Sequence, residues 1–335
     1  MPWDYQKPKN SHPQLLLAPM QGLIDAPMRD ILTRIGGFDG CVTEFVRITH
    51  TEHNRSTWLK YMPELAHSNQ TRASTPVIIQ LLGSDADNIA RNAGNVVKLG
   101  ADQIDLNFGC PAPTVNQHAG GAILLREPNR IEHIVRTVRQ SIPAKVKLSA
   151  KMRLGYENKK LAIACAQAIE QGGAQQLAVH ARTKTEGYQP PAHWEWIARI
   201  KNNVSIPVVA NGDVFNLTDY QTIRMVSECN DVMLGRGAVQ QPDLGRQIAA
   251  FNNGRLIQPM LWAELICWIE EFFKNCSNAV QINSKYSIAR LKQWLAMLKL
   301  NYQEASNLFN IIRTLNNQDH IAQILHQQIQ QNPMD

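Results

Sequence analysis

Across the first 254 residues, short β-branched runs alternate with helix-like segments, and this rhythm restricts the possible folds more than any other feature. The runs fall at 14–18, 41–46, 76–82, 102–107, 145–152, 176–181, 206–210 and 231–234. Between them, 26–35, 87–99, 129–140, 159–171, 194–201, 217–226 and 243–252 have helical spacing, and 49–76 reads as a helix and a long loop. Near-continuous apolar strands separated by helices are parallel strands buried on both faces. Eight such units predict an α/β chain folded as a (β/α)8 TIM barrel, whose strands all deliver their C-terminal ends to one rim. In order, those ends are Met20-Gln21, Glu44, Gln80, Asn107, Lys151, His180, Asn211 and Gly235-Arg236. Polar groups at so many ends predict a convergent site on that rim.

The length of 335 residues suits a barrel of roughly 250 residues plus a remainder. After Asn253-Gly254 the texture changes, and Leu261, Leu265, Trp268, Ile269 and Phe272 share one helical face. The chain is therefore divided into a catalytic barrel, 1–254, and an all-helical C-terminal domain of about four helices, 255–335. Between Glu271 and Glu304 every charged residue is basic: Lys274, Lys285, Arg290, Lys292 and Lys299. A one-sign stretch suits phosphate contact, although a solvated basic face has the same composition. The formal net charge of +6 permits a polyanionic partner.

Other classes are excluded by what the sequence lacks. No run of about 18 apolar residues is present, so no spanning helix is expected. The opening MPWDYQKPKNSHPQ has no apolar core of a leader, and the expected compartment is the cytoplasm. The six cysteines include no C-x-x-C pair, so neither a disulfide framework nor a zinc site is expected. There is no G-x-G-x-x-G after the first strand and no P-loop.

The chemistry concentrates at Asp105-Leu-Asn-Phe-Gly-Cys-Pro-Ala-Pro113. A strand ending at Asn107, then Gly109 and two stiffening prolines, places Cys110 on a rigid rim loop rather than on an apolar helix face such as that of Cys165. Gly120-Gly121-Ala122 is expected to allow close approach of a ligand. Strand alternation puts Lys147, Ser149 and Lys151 on one side. Lys151 is then expected to meet a ligand and Lys147 an internal carboxylate, because an unpaired buried ammonium is expensive. His180-Ala-Arg182 and Tyr188 follow the sixth strand. Asn211-Gly212 and Gly235-Arg236-Gly237, at the ends of consecutive strands, suit a phosphate. A phosphate site, a rim lysine and a rim cysteine together fit a flavin mononucleotide (FMN) enzyme.

Leu17-Ala-Pro-Met-Gln-Gly22, Thr43-Glu-Phe45, Gln80-Leu81, Asp105-Leu-Asn-Phe-Gly-Cys-Pro111, Lys151-Met-Arg153, Val179-His-Ala-Arg182, Asn211-Gly212 and Leu234-Gly-Arg236 resemble the tRNA-dihydrouridine synthases. Thr43-Glu-Phe-Val-Arg47 and Ala289-Arg-Leu-Lys-Gln-Trp294 resemble the bacterial branch acting on uridine 16 of the D-loop. The resemblance implies that Pro19, Met20 and Gln21 lie beside FMN, with Gln80, Lys151 and His180 contacting it. It implies that Asn211, Gly212, Asp213, Gly235 and Arg236 bind its ribityl-phosphate end. It implies further that NADPH reduces the flavin and that Cys110 gives a proton to C5 of uracil as hydride reaches C6. By the same resemblance Asn107 and Tyr188 are expected near the uridine, and Arg47, Arg290, Lys292, Met297 and Arg313 are expected to hold the tRNA. Where the family commonly has Glu, this chain has Gln21. A monomer without metal is expected. The rival readings are a flavin barrel acting on a small pyrimidine, of the dihydroorotate-dehydrogenase type, and a non-catalytic RNA-binding barrel.

Overall fold

The computed structural model describes residues 12–278 and 285–333, so residues 1–11 of the opening segment lie outside it. Nine strands form the sheet: β1 (Leu15–Leu17), β2 (Gly40–Val42), β3 (Val46–Arg47), β4 (Val77–Leu82), β5 (Gln103–Phe108), β6 (Lys147–Arg153), β7 (Gln176–His180), β8 (Val208–Asn211) and β9 (Val232–Leu234). All pair in parallel, and β1 meets both β2 and β9 while β2 meets β4, so the sheet closes into the expected TIM barrel.

Nine strands make eight staves because the run at 41–46 is broken. Val42 pairs with Ile78, whereas pairing resumes with Val46 opposite Leu81, so four steps on one strand match three on the other. That is a bulge of one residue. Buried Thr43 explains it: its hydroxyl accepts the amide N–H of Gln80 at 3.0 Å, standing in for a backbone carbonyl. The break leaves Glu44 and Phe45 free to turn toward the rim.

The strands bury both faces, as the sequence requires. Outward residues such as Leu17, Ile79, Leu81, Ile104, Leu106 and Leu148 pack under the helices. Inward residues Leu16, Ala18, Val42, Ile78, Ala178, Val209 and Met233 form a separate cluster in the barrel interior. Polar inward residues begin above it: Gln80 is aligned with Asp105, Asp105 with Ser149, and Asn107 with Lys151. Lys147 corrects the expectation of an internal ion pair. It is exposed at the start of β6, and Asp105 instead accepts hydrogen bonds from Ser149 Oγ (2.6 Å) and Gln80 Nε2 (2.7 Å). Strand length decides this, since Lys147 lies at the end of the barrel remote from the site, where an ammonium reaches water without cost.

Beyond the last barrel helix, Leu244–Asn252, four helices follow among the described residues: Trp262–Asn278, Lys285–Leu298, Gln303–Ile312 and Gln318–Gln331. Leu265, Ile269, Phe272, Leu291, Trp294, Leu295 and Leu298 join the core that surrounds the barrel. Trp294 Nε1 donates to Val239 O at 3.1 Å. Arg290, only 5% exposed, donates Nε to Asp25 Oδ2 at 2.6 Å and its terminal nitrogens to the carbonyls of Gly22 (3.0 Å) and Leu23 (2.7 Å). Asp25 also caps the first barrel helix, Ala26–Ile35, and accepts the Tyr286 hydroxyl at 2.6 Å. The tail is thus fastened to the loop that follows β1.

Candidate active site

A cavity of about 620 Å³ opens on the rim, lined by the ends of β1, β5, β6, β7, β8 and β9 and by the tail helix Lys285–Leu298. Its size falls within the range of small-molecule and cofactor sites.

One wall is the cysteine loop. Asn107, next to last in β5, has both polar ends of its side chain engaged: Oδ1 accepts the amides of Gly109 and Cys110, each at 2.9 Å, and Nδ2 donates to Gln80 Oε1 at 2.7 Å. On the far side, Asn116 Nδ2 donates to Cys110 O at 3.0 Å and its Oδ1 accepts Ile123 N–H. Cys110 is therefore gripped through its backbone where it lines the cavity, 8% exposed. Burial pushes the thiol above its ordinary range, against weaker opposition from the Ala112 amide and Arg153. At neutral pH it is a thiol, able to give a proton. Gly121 serves this loop, while Gly120 lines the smaller cleft beside it. A Cβ on Gly121, at φ +68°, would stand 2.8 Å from Cys110 O.

The other wall is cationic. Lys151 Nζ donates to Asn211 Oδ1 at 3.0 Å, and Asn211 is itself held by Met233 O. Among the described residues Lys151 has no ion pair, and burial, then neighbouring Arg153, lowers its pKa to about 8. Such a group favours an anion or a carbonyl edge placed against it. His180, below its ordinary range through burial and the surrounding cations, is neutral at pH 7. Asp213 accepts from buried Arg182 at 2.9 Å and from Arg236 at 3.1 Å. It therefore orients two guanidiniums, and a carboxylate so engaged does not itself take a phosphate. Gly237 is needed for packing: a Cβ there would meet Val214 O at 1.9 Å. The residues present fit a phosphorylated, electron-accepting ring cofactor: a cavity open at the rim, an ammonium without an ion pair and an arginine beside glycine-rich backbone.

Pro19, Met20, Gln21, Asn107, Cys110, Lys151, His180, Tyr188, Asn211, Gly212, Asp213, Gly235, Arg236 and Met297 all line this cavity. Gln80 does not. It is fully buried one layer deeper, where it supports Asn107 and Asp105. Arg47 lines a separate cleft of about 200 Å³ on the other side of the cysteine loop, with His50, Asn88 and His118. Arg290 is no free phosphate ligand, since its donors are taken by the barrel. Lys292 Nζ donates to Leu315 O at 2.7 Å, and Arg313 is exposed. The cationic stretch is consequently not one face.

Sequence reading missed two residues. Arg153 bonds Gly109 O (3.0 Å), Thr183 O and Gly187 O (2.9 Å each) and lies 5.2 Å from the Tyr188 ring centroid, so it couples the cysteine loop to the tyrosine loop. Strand alternation, which puts Arg153 on the same side as Lys151, was the available signal. Gln293 lines the cavity from the tail, and no local pattern marks it.

A parallel barrel with a cofactor-sized rim cavity, a protonated thiol on one wall and cations on the other defines a barrel oxidoreductase. Solved structures agree on the fold alone: histamine dehydrogenase from Rhizobium sp. 4-9 (TM-score 0.52, 16% identity, 78% of this chain and 48% of that one) and a variant of NCR from Zymomonas mobilis (TM-score 0.50, 14% identity, 73% and 88%). The family model described as "Dihydrouridine synthase (Dus)" matches residues 16–333. Curated relatives named tRNA-dihydrouridine(16) synthase are similar along most of the chain. That of Neisseria meningitidis serogroup A / serotype 4A is 59% identical, covering 93% of this chain and 94% of the relative; that of Aquipseudomonas alcaligenes is 50% identical, covering 93% and 98%. The chain belongs to the dihydrouridine synthase family and is an enzyme of that type.

Proposed function

We propose that this enzyme reduces the C5=C6 bond of uridine 16 in the tRNA D-loop, with FMN in the cavity and NADPH as reductant, acting as a cytoplasmic monomer. The observation that carries the reading is that the buried, backbone-gripped Cys110 lines the same cavity as Lys151, His180 and Arg236. Relatives named for the same reaction at position 16 support the substrate and the position.

The chemistry follows from the walls. A flavin held beside Lys151 and Arg236 would, once reduced, be the source of the hydride that C6 of the uracil accepts. Cys110 holds its proton on Sγ, raised by burial, and delivers it to C5, so one hydride and one proton saturate the bond. Lys151 offers its ammonium to the electron-rich edge of the ring bound beside it. Arg236, aimed by Asp213, takes the phosphate end. Asn107 and Arg153 keep the cysteine loop in register with Tyr188, which is 51% exposed and offers a ring to an incoming base. A base stacked in folded RNA does not reach this rim, so the uridine is turned out into the cavity. Arg313 and Arg47 lie outside the cavity and suit the RNA around it.

Two measurements test this. Position-16 dihydrouridine in tRNA from a deletion strain should vanish and return with the gene; an unchanged level refutes the assignment. Cys110→Ala should still permit flavin reduction by NADPH while product formation falls roughly 10²–10⁴-fold. Undiminished single-turnover yield would remove Cys110 as the acid.

A further inference from the structure

The helix Lys285–Leu298 sends Gln293 to the cavity mouth, and the direction of its amide is decided by chemistry. Arg290, one turn earlier, hydrogen-bonds Gln293 through Nη1. A guanidinium only donates, so the atom facing it is the amide oxygen Oε1. Arg290 cannot move to release it, because Asp25 and the carbonyls of Gly22 and Leu23 hold the other nitrogens. Gln293 is exposed, so its Nε2 amino group, turned away from Arg290 and bonded to no other described residue, is open to solvent and to a ligand at the mouth. The chain Asp25, Arg290, Gln293 ends as a fixed hydrogen-bond donor at the mouth of the site.

We infer that Gln293 is a specificity-determining residue whose Nε2–H donates to a carbonyl oxygen of the extruded uracil, with Asp25 and Arg290 as its positioning residues. The inference rests on the proposed reduction of uridine in tRNA. Uracil has two ring carbonyls and suits a fixed donor. Because Gln293 belongs to the tail, while Lys151, Asn211 and Arg236 of the barrel face the cofactor end, its donor serves the later-arriving ligand. A flavin also has ring carbonyls, and the test separates the two.

The test compares Gln293→Leu and Gln293→Glu in the flavin-loaded enzyme, measuring kcat/KM on an unmodified tRNA transcript, flavin affinity and the absorption spectrum. Glu keeps the shape and the Arg290 contact but presents an acceptor, so it should be the worse variant. The expected losses are ~10-fold for Gln293→Leu and ~100-fold for Gln293→Glu, with flavin affinity and spectrum unchanged. A Glu variant within twofold of the parent reduces Gln293 to packing and overturns the inference. A loss that tracks weakened flavin binding or a shifted spectrum overturns it as well, by assigning the donor to the cofactor. Failure of the parent enzyme to form dihydrouridine in the same assay would instead refute the proposed function.

Discussion

Among single residues, Lys151 carries the most readable consequence. Its pKa of about 8 reflects a buried ammonium that folding disfavours, well below the ordinary lysine value of 10.5. Without an anion beside it, the fold is penalised while Lys151 stays charged, and that penalty fades as pH rises from about 8 toward 10.5. An anionic ligand reverses the preference and raises the pKa of the occupied site. Flavin affinity should therefore be flat below about pH 8 and fall above it, as the free site loses its proton. Lys151→Met should bind more weakly and lose this dependence; fluorescence titration between about pH 6.5 and 9.5 checks it, and a slope surviving in the variant would assign it elsewhere. Cys110 was legible because it stands between glycine and proline on a loop rather than on an apolar face, and Lys151 because an ammonium is out of keeping with a buried strand end. Their protonation was not, since it depends on Arg153, on Ala112 and on the depth of the pocket.

For the elements, the strands and helices follow from periodicity, and the helices 26–35 and 194–201 coincide with Ala26–Ile35 and Trp194–Lys201. The second stave is where local pattern misled, because a bulge depends on a hydroxyl replacing a carbonyl across the ladder rather than on any run of residues. Thr43→Val keeps the shape and β-branching but leaves the Gln80 amide unpaired in a buried setting. It should destabilise the protein by about 1–3 kcal/mol. The loss should appear as a lower urea midpoint, and an unchanged midpoint would show that the bulge holds without the hydroxyl. Because Gln80 supports Asn107, and Asn107 the Cys110 amide, single-turnover rates should fall in the same variant.

Taken whole, the molecule owes its complete site to the seating of the tail on the barrel. Arg290→Met would leave Asp25 buried beside it without its cation, which typically costs about 3–5 kcal/mol when one partner of a buried pair is removed. The Asp25→Asn, Arg290→Met pair should recover part of that in urea unfolding, whereas an additive loss would show that the two act independently. The sequence by itself determined the eight-fold alternation, the helical remainder and the residue types on the rim, because periodicity and strand polarity are local properties written in neighbouring residues. Only the tertiary structure decided that Arg290 is a fastener rather than an RNA ligand, that Gln80 is a support and that Gln293 faces the slot. Arg290 finds its partners more than two hundred residues away along the chain and Gln80 finds its own on a neighbouring strand, and a charge or an amide has no direction until the fold supplies its partner.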